Sequence, residues 1–236
     1  MKTEQIQEQG TVKKTGTTIV GIKYKDGLML FTDTRSTMGD IVENKTCTKL
    51  HYLSPTMYCA GAGTAADTDR VTRMTEKYLN LFRNKYNREG SVFTAKRILS
   101  NHLHYYCGYV GAALILGGKH NNDYYLFDIH PHGSCTESLY TSLGSGSLAA
   151  MSYLERMFKI NMTEEEAIDL GIKAIEAGIM NDLYSGTQVD YLIIKDDGAK
   201  YVKAAKICAA RENVNQPITL DKKIEILEEE IIHLND

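Results

Sequence analysis

Proline and tryptophan are the scarcest residues: 236 positions hold three prolines and no tryptophan. So little proline leaves no Pro-rich linker, and one domain of about the upper common size is the simplest reading. Positive charge is not in excess either. A net charge of -3 and a pI near 6.2 give no electrostatic footprint for nucleic acid or an anionic membrane surface. Apolar runs are short, and none approaches the roughly 20 residues that a membrane-spanning helix needs. Met1 to Lys14 is polar and lacks the apolar run of a secretory signal. The five cysteines, Cys47, Cys59, Cys107, Cys135 and Cys208, have no C-x-x-C spacing. An odd, dispersed set reads as reduced thiols, not as a disulfide framework or a zinc site. These absences point to a soluble, compact protein of the cytoplasm and nucleus.

What is present is an ordered alternation of patterns. Residues 1–16 read as a polar leader. Strand-like runs follow at Thr17–Tyr24 and Leu28–Thr34, with Lys25-Asp26-Gly27 between them as a hairpin turn, because the glycine of a D-G pair tolerates the positive φ that tight turns require. Further strand-like stretches are Asp40–Leu53 and Met57–Ala60. From Ala65 to Tyr86, apolar residues at Val71, Met74, Tyr78, Phe82 and Tyr86 make one helical stripe. A second helix is expected over Ser91–Tyr106. Strands at Ala112–Leu116, Tyr124–Ile129 and Ser138–Thr141 come next, then helices at Ser147–Phe158 and Glu164–Met180. Thr163 with Glu166 forms a capping box at the start of the last helix. Strands Gln188–Ile194 and Lys200–Ala205 close the core. The tail, Asp221–Asp236, reads as a strand, a short helix or an arm ordered by a partner. Runs of strands followed by runs of helices argue for an α+β fold. Two antiparallel sheets facing each other, each covered by a helix pair, use every apolar face: a four-layer αββα sandwich.

The segment Thr15-Gly16-Thr17-Thr18-Ile19-Val20-Gly21 carries the most chemistry. A threonine hydroxyl is a weak nucleophile that needs a base. Cutting the chain before Thr17 supplies one, because a free α-amino group has a pKa of about 7.7–8.0. Glycine before that bond puts no side chain in the way. Read alone, the segment is more readily the start of an ordinary threonine-rich strand.

Other motifs decide between the two readings. They are Gly16-Thr17-Thr18-Ile19, Thr32-Asp33-Thr34-Arg35, Cys47-Thr48-Lys49-Leu50 and the run from Tyr58 to Asp69. Gly111 to Gly118, Pro131-His132-Gly133-Ser134, Gly144 to Met151 and Ala177 to Asp182 continue the series. Together, from Lys13 to about Lys195, they resemble the proteasome β subunits in order and approximate spacing, above all the trypsin-like catalytic type of the eukaryotic 20S core.

The resemblance implies an N-terminal-nucleophile hydrolase fold and a threonine endopeptidase. Residues 1–16 would be a propeptide cut after Gly16, residues 17–210 the protease domain and residues 211–236 an arm toward a neighbouring subunit. Thr17 matches the nucleophile, with Asp33 and Lys49 as the polar pair behind it. Ser145, Asp182 and Ser185 match the groups around the new amine, and the Gly63 N–H matches the oxyanion donor. Gly61 matches the pocket floor and Asp69 the acid that meets a basic side chain; Ser36, Thr37 and Cys47 fall along the cleft. Implied partners are other α and β subunits in a stacked-ring assembly and unfolded polypeptide substrates, with no cofactor, metal, nucleic acid or membrane. A non-catalytic ring subunit of the same fold is the alternative.

Asp67 reads as an ordinary first-turn carboxylate. His130-Pro131-His132 reads as a turn between strands, not a metal site. His102 and His104, two apart on a helix, face different ways. Cys47 and Cys59 read as structural thiols.

Overall fold

The computed structural model describes residues 15–196 and 198–208. The greater part of the expected leader (1–14) and the arm expected over 211–236 lie outside them. Among the described residues, twelve strands and four helices follow in the order expected for an α+β fold. One antiparallel sheet runs β10-β1-β2-β11-β12, from Tyr140–Gly144, Thr18–Tyr24, Gly27–Asp33, Gln188–Lys195 and Gly198–Ile207. The other runs β5-β6-β7-β8-β9, from Leu50–Ser54, Met57–Gly63, Ala112–His120, Asp123–Ile129 and Cys135–Glu137. A separate ribbon pairs β3 (Ser36–Met38) with β4 (Ile41–Asn44).

The side-chain period of two explains how the layers stack. Along β2, Leu28 and Leu30 point into the space between the sheets, where they meet Ala60, Ile115 and Leu126. Met29 and Phe31 point the other way, into a cluster with Ala150, Leu154, Ala174 and Ile175 of α3 (Ser147–Met157) and α4 (Glu164–Asn181). All seven residues of β2 are buried, because both faces are covered. The second sheet does the same on its outer side: Met57, Cys59, Leu114 and Leu116 pack on Val71, Leu79, Leu99 and Leu103. Those four belong to α1 (Ala65–Tyr86) and α2 (Val92–Tyr105). The four-layer αββα sandwich is therefore the fold.

Local signals held where they concerned backbone chemistry. At the start of α4, the Thr163 N–H donates to Glu166 Oε2 at 2.9 Å and the Glu166 N–H donates back to Thr163 Oγ1 at 3.3 Å. The Thr163 N–H and then the Thr163 hydroxyl, both donating to Oε2, lower the Glu166 carboxyl below its usual range. The β1–β2 hairpin forms, with Tyr24 opposite Gly27. Gly27 is there for a different reason from the one its D-G signature suggests. It is not among the described glycines with positive φ; a Cβ on it would instead sit 2.5 Å from the Ile194 carbonyl oxygen and 2.8 Å from the Tyr24 hydroxyl.

Asp40–Leu53, expected as one strand-like stretch, is two strands in two different sheets. β4 is exposed throughout and ends at Asn44, whose side chain accepts the Thr46 N–H at 2.8 Å. That local turn lets the Cys47 N–H reach the Thr34 carbonyl, and the chain then crosses to β5. β9, three residues long, carried too little pattern to be seen in advance.

Candidate active site

The site forms where the two sheets meet at the ends of β1, β2 and β5. Thr17 lies just ahead of β1, Asp33 ends β2 and Lys49 immediately precedes β5. All three are buried: Thr17 is 6% exposed, Asp33 0% and Lys49 7%. The Lys49 ammonium has three N–H donors, and each finds an acceptor. They go to Asp33 Oδ1 at 2.7 Å, Thr17 Oγ1 at 3.0 Å and the Gly16 carbonyl at 3.3 Å.

Asp33 is equally saturated. Its Oδ1 accepts from Lys49 and from the Thr18 N–H at 2.9 Å, while Oδ2 accepts from the N–H groups of Arg35 at 3.2 Å and Gly186 at 3.0 Å. A buried ion pair repays its desolvation only when the remaining lone pairs and protons are satisfied in this way. The Thr17 hydroxyl in turn donates to the Gly16 carbonyl at 2.6 Å.

A second chain of bonds reaches the same threonine from the other side. The Thr17 N–H donates to Ser145 Oγ at 3.0 Å, and the Ser145 hydroxyl donates to Asp182 Oδ2 at 2.5 Å. Ser185 donates to the same oxygen at 2.5 Å and accepts from the Thr18 hydroxyl at 2.8 Å. Asp182 is the C-cap of α4, with its backbone N–H on the Gly178 carbonyl, and it opens the loop that carries Ser185.

From Thr17 a cavity of about 200 Å³ opens outward. Thr15 and Gly16 run along it: the Gly16 N–H points at Thr37 Oγ1 at 3.4 Å, and the Thr15 hydroxyl donates to the Gly63 carbonyl at 3.2 Å. A Cβ on Gly16 would overlap Tyr184, so only glycine passes here. Gly63 ends β6 at φ +113°, a backbone that L side chains rarely adopt. Ser36, Thr37, Cys47, Gly61 and Asp69 all line this space. The Asp69 carboxylate, on α1, pairs with Arg73 one turn on at 2.8 Å.

Residues 13–194 match the family described as "Proteasome subunit". The chain is 44% identical over 223 residues to "Probable proteasome subunit beta type-2" of Encephalitozoon cuniculi, covering 94% of this chain and 98% of that one. It is 43% identical over 235 residues to "Proteasome subunit beta type-2" of Saccharomyces cerevisiae, covering 99% and 90%. Against "Proteasome subunit beta type-7-A" of Arabidopsis thaliana it is 47% identical over 190 residues, covering 80% and 70%.

The chain belongs to the proteasome β-subunit family.

Four cavity or network residues of this β subunit had no role in the sequence reading. Thr18 was visible only as part of the Gly16-Thr17-Thr18 motif, yet its hydroxyl closes the Ser185–Asp182 chain. His51 lies two residues beyond Lys49, the spacing that puts side chains on one strand face. That was the available signal. A Cβ on Gly61 would stand 3.1 Å from the His51 Nε2 and 3.2 Å from Cβ of Thr68, so His51 and Thr68 back the gap that Gly61 leaves. Burial lowers the His51 imidazole below its ordinary pKa; nearby Asp69 acts the other way and Arg73 adds to the lowering. Arg35, the last residue of the Thr32-Asp33-Thr34-Arg35 motif, lines the cavity too.

The remaining residues, apart from the cavity-lining Cys47, are placed without joining the site. Asp67 Oδ2 accepts the Gly111 N–H at 2.9 Å, tying the first turn of α1 to the start of β7. His130-Pro131-His132 is a turn, closed by the Gly133 N–H on the His130 carbonyl at 2.8 Å. Burial raises the thiols of Cys47 and Cys59 above their usual range. Neither is activated toward thiolate.

Proposed function

We propose that this chain is a catalytic threonine endopeptidase subunit that cleaves unfolded polypeptides after basic residues once residues 1–16 are removed. The observation that carries the reading is the contact set of Thr17 Oγ1: 3.0 Å from the Lys49 ammonium and 2.6 Å from the Gly16 carbonyl oxygen. In the uncut chain, Oγ1 attacks the Gly16 carbonyl carbon, and the acyl group passes from nitrogen to oxygen. Water then hydrolyses the ester, the leader departs as a carboxylic acid and Thr17 keeps a free amine. In turnover, Oγ1 attacks the substrate carbonyl while its proton passes to that amine and then to the departing peptide amine. Water hydrolyses the acyl-threonine and restores the hydroxyl. Lys49 stabilises the developing alkoxide, and the Gly63 N–H is assigned to the carbonyl oxygen as it gains charge.

Preference for a basic side chain rests on Gly61 and Asp69. Glycine leaves the pocket deep, and a half-exposed carboxylate on its wall can exchange Arg73 for a substrate cation. The family supports assembly with other proteasome subunits. The reading extends this to α and β neighbours in a stacked ring, in cytoplasm and nucleus, with residues 17–210 as the protease domain and 211–236 as an arm toward a neighbour. The alternative, a non-catalytic ring subunit, gains nothing from a saturated Lys49–Asp33 pair aimed at a hydroxyl.

Intact-mass measurement of the assembled particle tests the reading. The mature chain is expected to begin at Thr17; retention of the first sixteen residues overturns catalysis by this subunit. Thr17→Ala should keep the leader and remove cleavage after basic residues.

A further inference from the structure

Arg35 directly follows the Asp33-Thr34 pair, between β2 and β3, and its side chain reaches the loop after α4. There its Nη1 donates to the Leu183 carbonyl at 3.2 Å. The guanidinium lies on Gly186, where any Cβ would overlap it. Its Nε is shut off from water with no hydrogen-bond partner among the described residues. A buried donor without an acceptor is unfavourable, so this side chain is kept in place despite a local cost.

The loop it touches is the one that matters for the second chain of bonds. Residues 182–186 carry Asp182 and Ser185, and Tyr184 between them is the residue that Gly16 passes. Three bonds fasten this loop to the end of β2. They run from the Thr34 N–H to the Gly186 carbonyl at 3.3 Å, from the Gly186 N–H to Asp33 Oδ2 at 3.0 Å, and from Arg35 Nη1 to the Leu183 carbonyl. The first two hold only the far end. Arg35 alone of the three reaches the near end, next to Asp182. A planar guanidinium can stack on a bare glycine while still donating at its edge; a lysine ammonium cannot.

The geometry points to Arg35 as a positioning residue: its guanidinium, clasped over Gly186, sets the height of the 182–186 loop so that Asp182 accepts from Ser145 and Ser185 together. The inference rests on the catalytic reading above, since the bonded chain ends at the Thr17 nitrogen.

The test uses assembled particles carrying Arg35→Met, Gly186→Ala or both. Arg35→Met should lower kcat on an arginine reporter peptide roughly 10- to 100-fold, as small misplacements of a catalytic array do, with KM moving less than about twofold. Gly186→Ala should reproduce that loss with Arg35 intact, by displacing the guanidinium. The double variant should be no worse than either single one, because both remove one contact. Guanidinium ion added to an Arg35→Ala particle should restore part of kcat, while Arg35→Lys should not. Hydrogen exchange at residues 183–186 should quicken in both single variants. If Arg35→Met fails to assemble, Gly186→Ala and Arg35→Lys carry the same readouts.

Unchanged kcat in Arg35→Met, additive losses, or a rise in KM alone would overturn the positioning role. Unchanged loop exchange would overturn the clasp itself, whatever the activity. A Thr17→Ala particle that still cleaves the reporter would sink the catalytic reading instead, and the exchange measurement would then decide the clasp.

Discussion

The cavity has an ion pair at each end, and the two are built in opposite ways. Lys49–Asp33 is 8% and 0% exposed at the side chains, spans the two sheets and has every donor and acceptor filled. Arg73–Asp69 is 71% and 46% exposed, spans one turn of a single helix and leaves other lone pairs to water. The same charge types thus do different work. The buried pair cannot exchange partners without stranding a charge, which suits a group that must stand in one place during bond making. The exposed pair exchanges at little cost, which suits a carboxylate that must accept an incoming cation.

The comparison breaks first at the buried end. Lys49→Ala should lower turnover roughly 1,000-fold, as loss of a preorganised electrostatic group does, and should leave the leader attached in an intact-mass measurement. It should also destabilise the fold by about 3 kcal/mol, the low end for a broken buried pair, since three backbone amides still hold Asp33. A drop in the thermal midpoint checks this.

At the exposed end, Asp69→Asn should reduce kcat/KM for an arginine reporter roughly 10- to 100-fold, the worth of one charge-assisted bond. A neutral reporter should be unaffected. Equal losses on both reporters would mean that Asp69 shapes the cleft and does not read charge.

His51 links the two ends through pH. Burial lowers its pKa, so the imidazole is neutral at neutral pH and takes a proton only below the ordinary value of about 6.5. Protonation then puts a cation beside the pocket meant for one. The ratio of basic to neutral reporter cleavage should fall as pH drops below about 6.5, and His51→Gln should flatten that fall. Stability follows the same sign. The fold favours the neutral ring, so its contribution is present above the unfolded pKa and lost as pH falls below it.

The smallest effect is expected for Arg73→Ala. Stability should change by about 0.3–0.5 kcal/mol, as for other exposed helical pairs. A loss as large as that of Lys49→Ala would erase the distinction between the two pairs.

Much of this arrangement was legible residue by residue. The Thr163–Glu166 cap and the hairpin after Tyr24 depend on neighbours a few positions apart, and a linear pattern records those directly. The gathering of Thr17, Asp33 and Lys49 was legible only through the series of family motifs, since no local rule relates positions 17, 33 and 49. The break at Asn44 was missed because β4 and β5 both read as extended chain; which sheet each joins is a matter of distant partners. Gly27 shows the reverse case, a correct turn assigned for the wrong cause.

By itself, then, the sequence determined the alternation of strands and helices, the layered fold class and the order of polar motifs, because each rests on side-chain period or short-range backbone bonding. Tertiary structure alone decided that Lys49 finds three acceptors, that His51 and Thr68 back the space left by Gly61, and that Arg35 lies across Gly186. Those facts depend on elements from both sheets and both helix pairs arriving at one point. Burial there turns hydrogen bonds that water would otherwise replace into fixed positions.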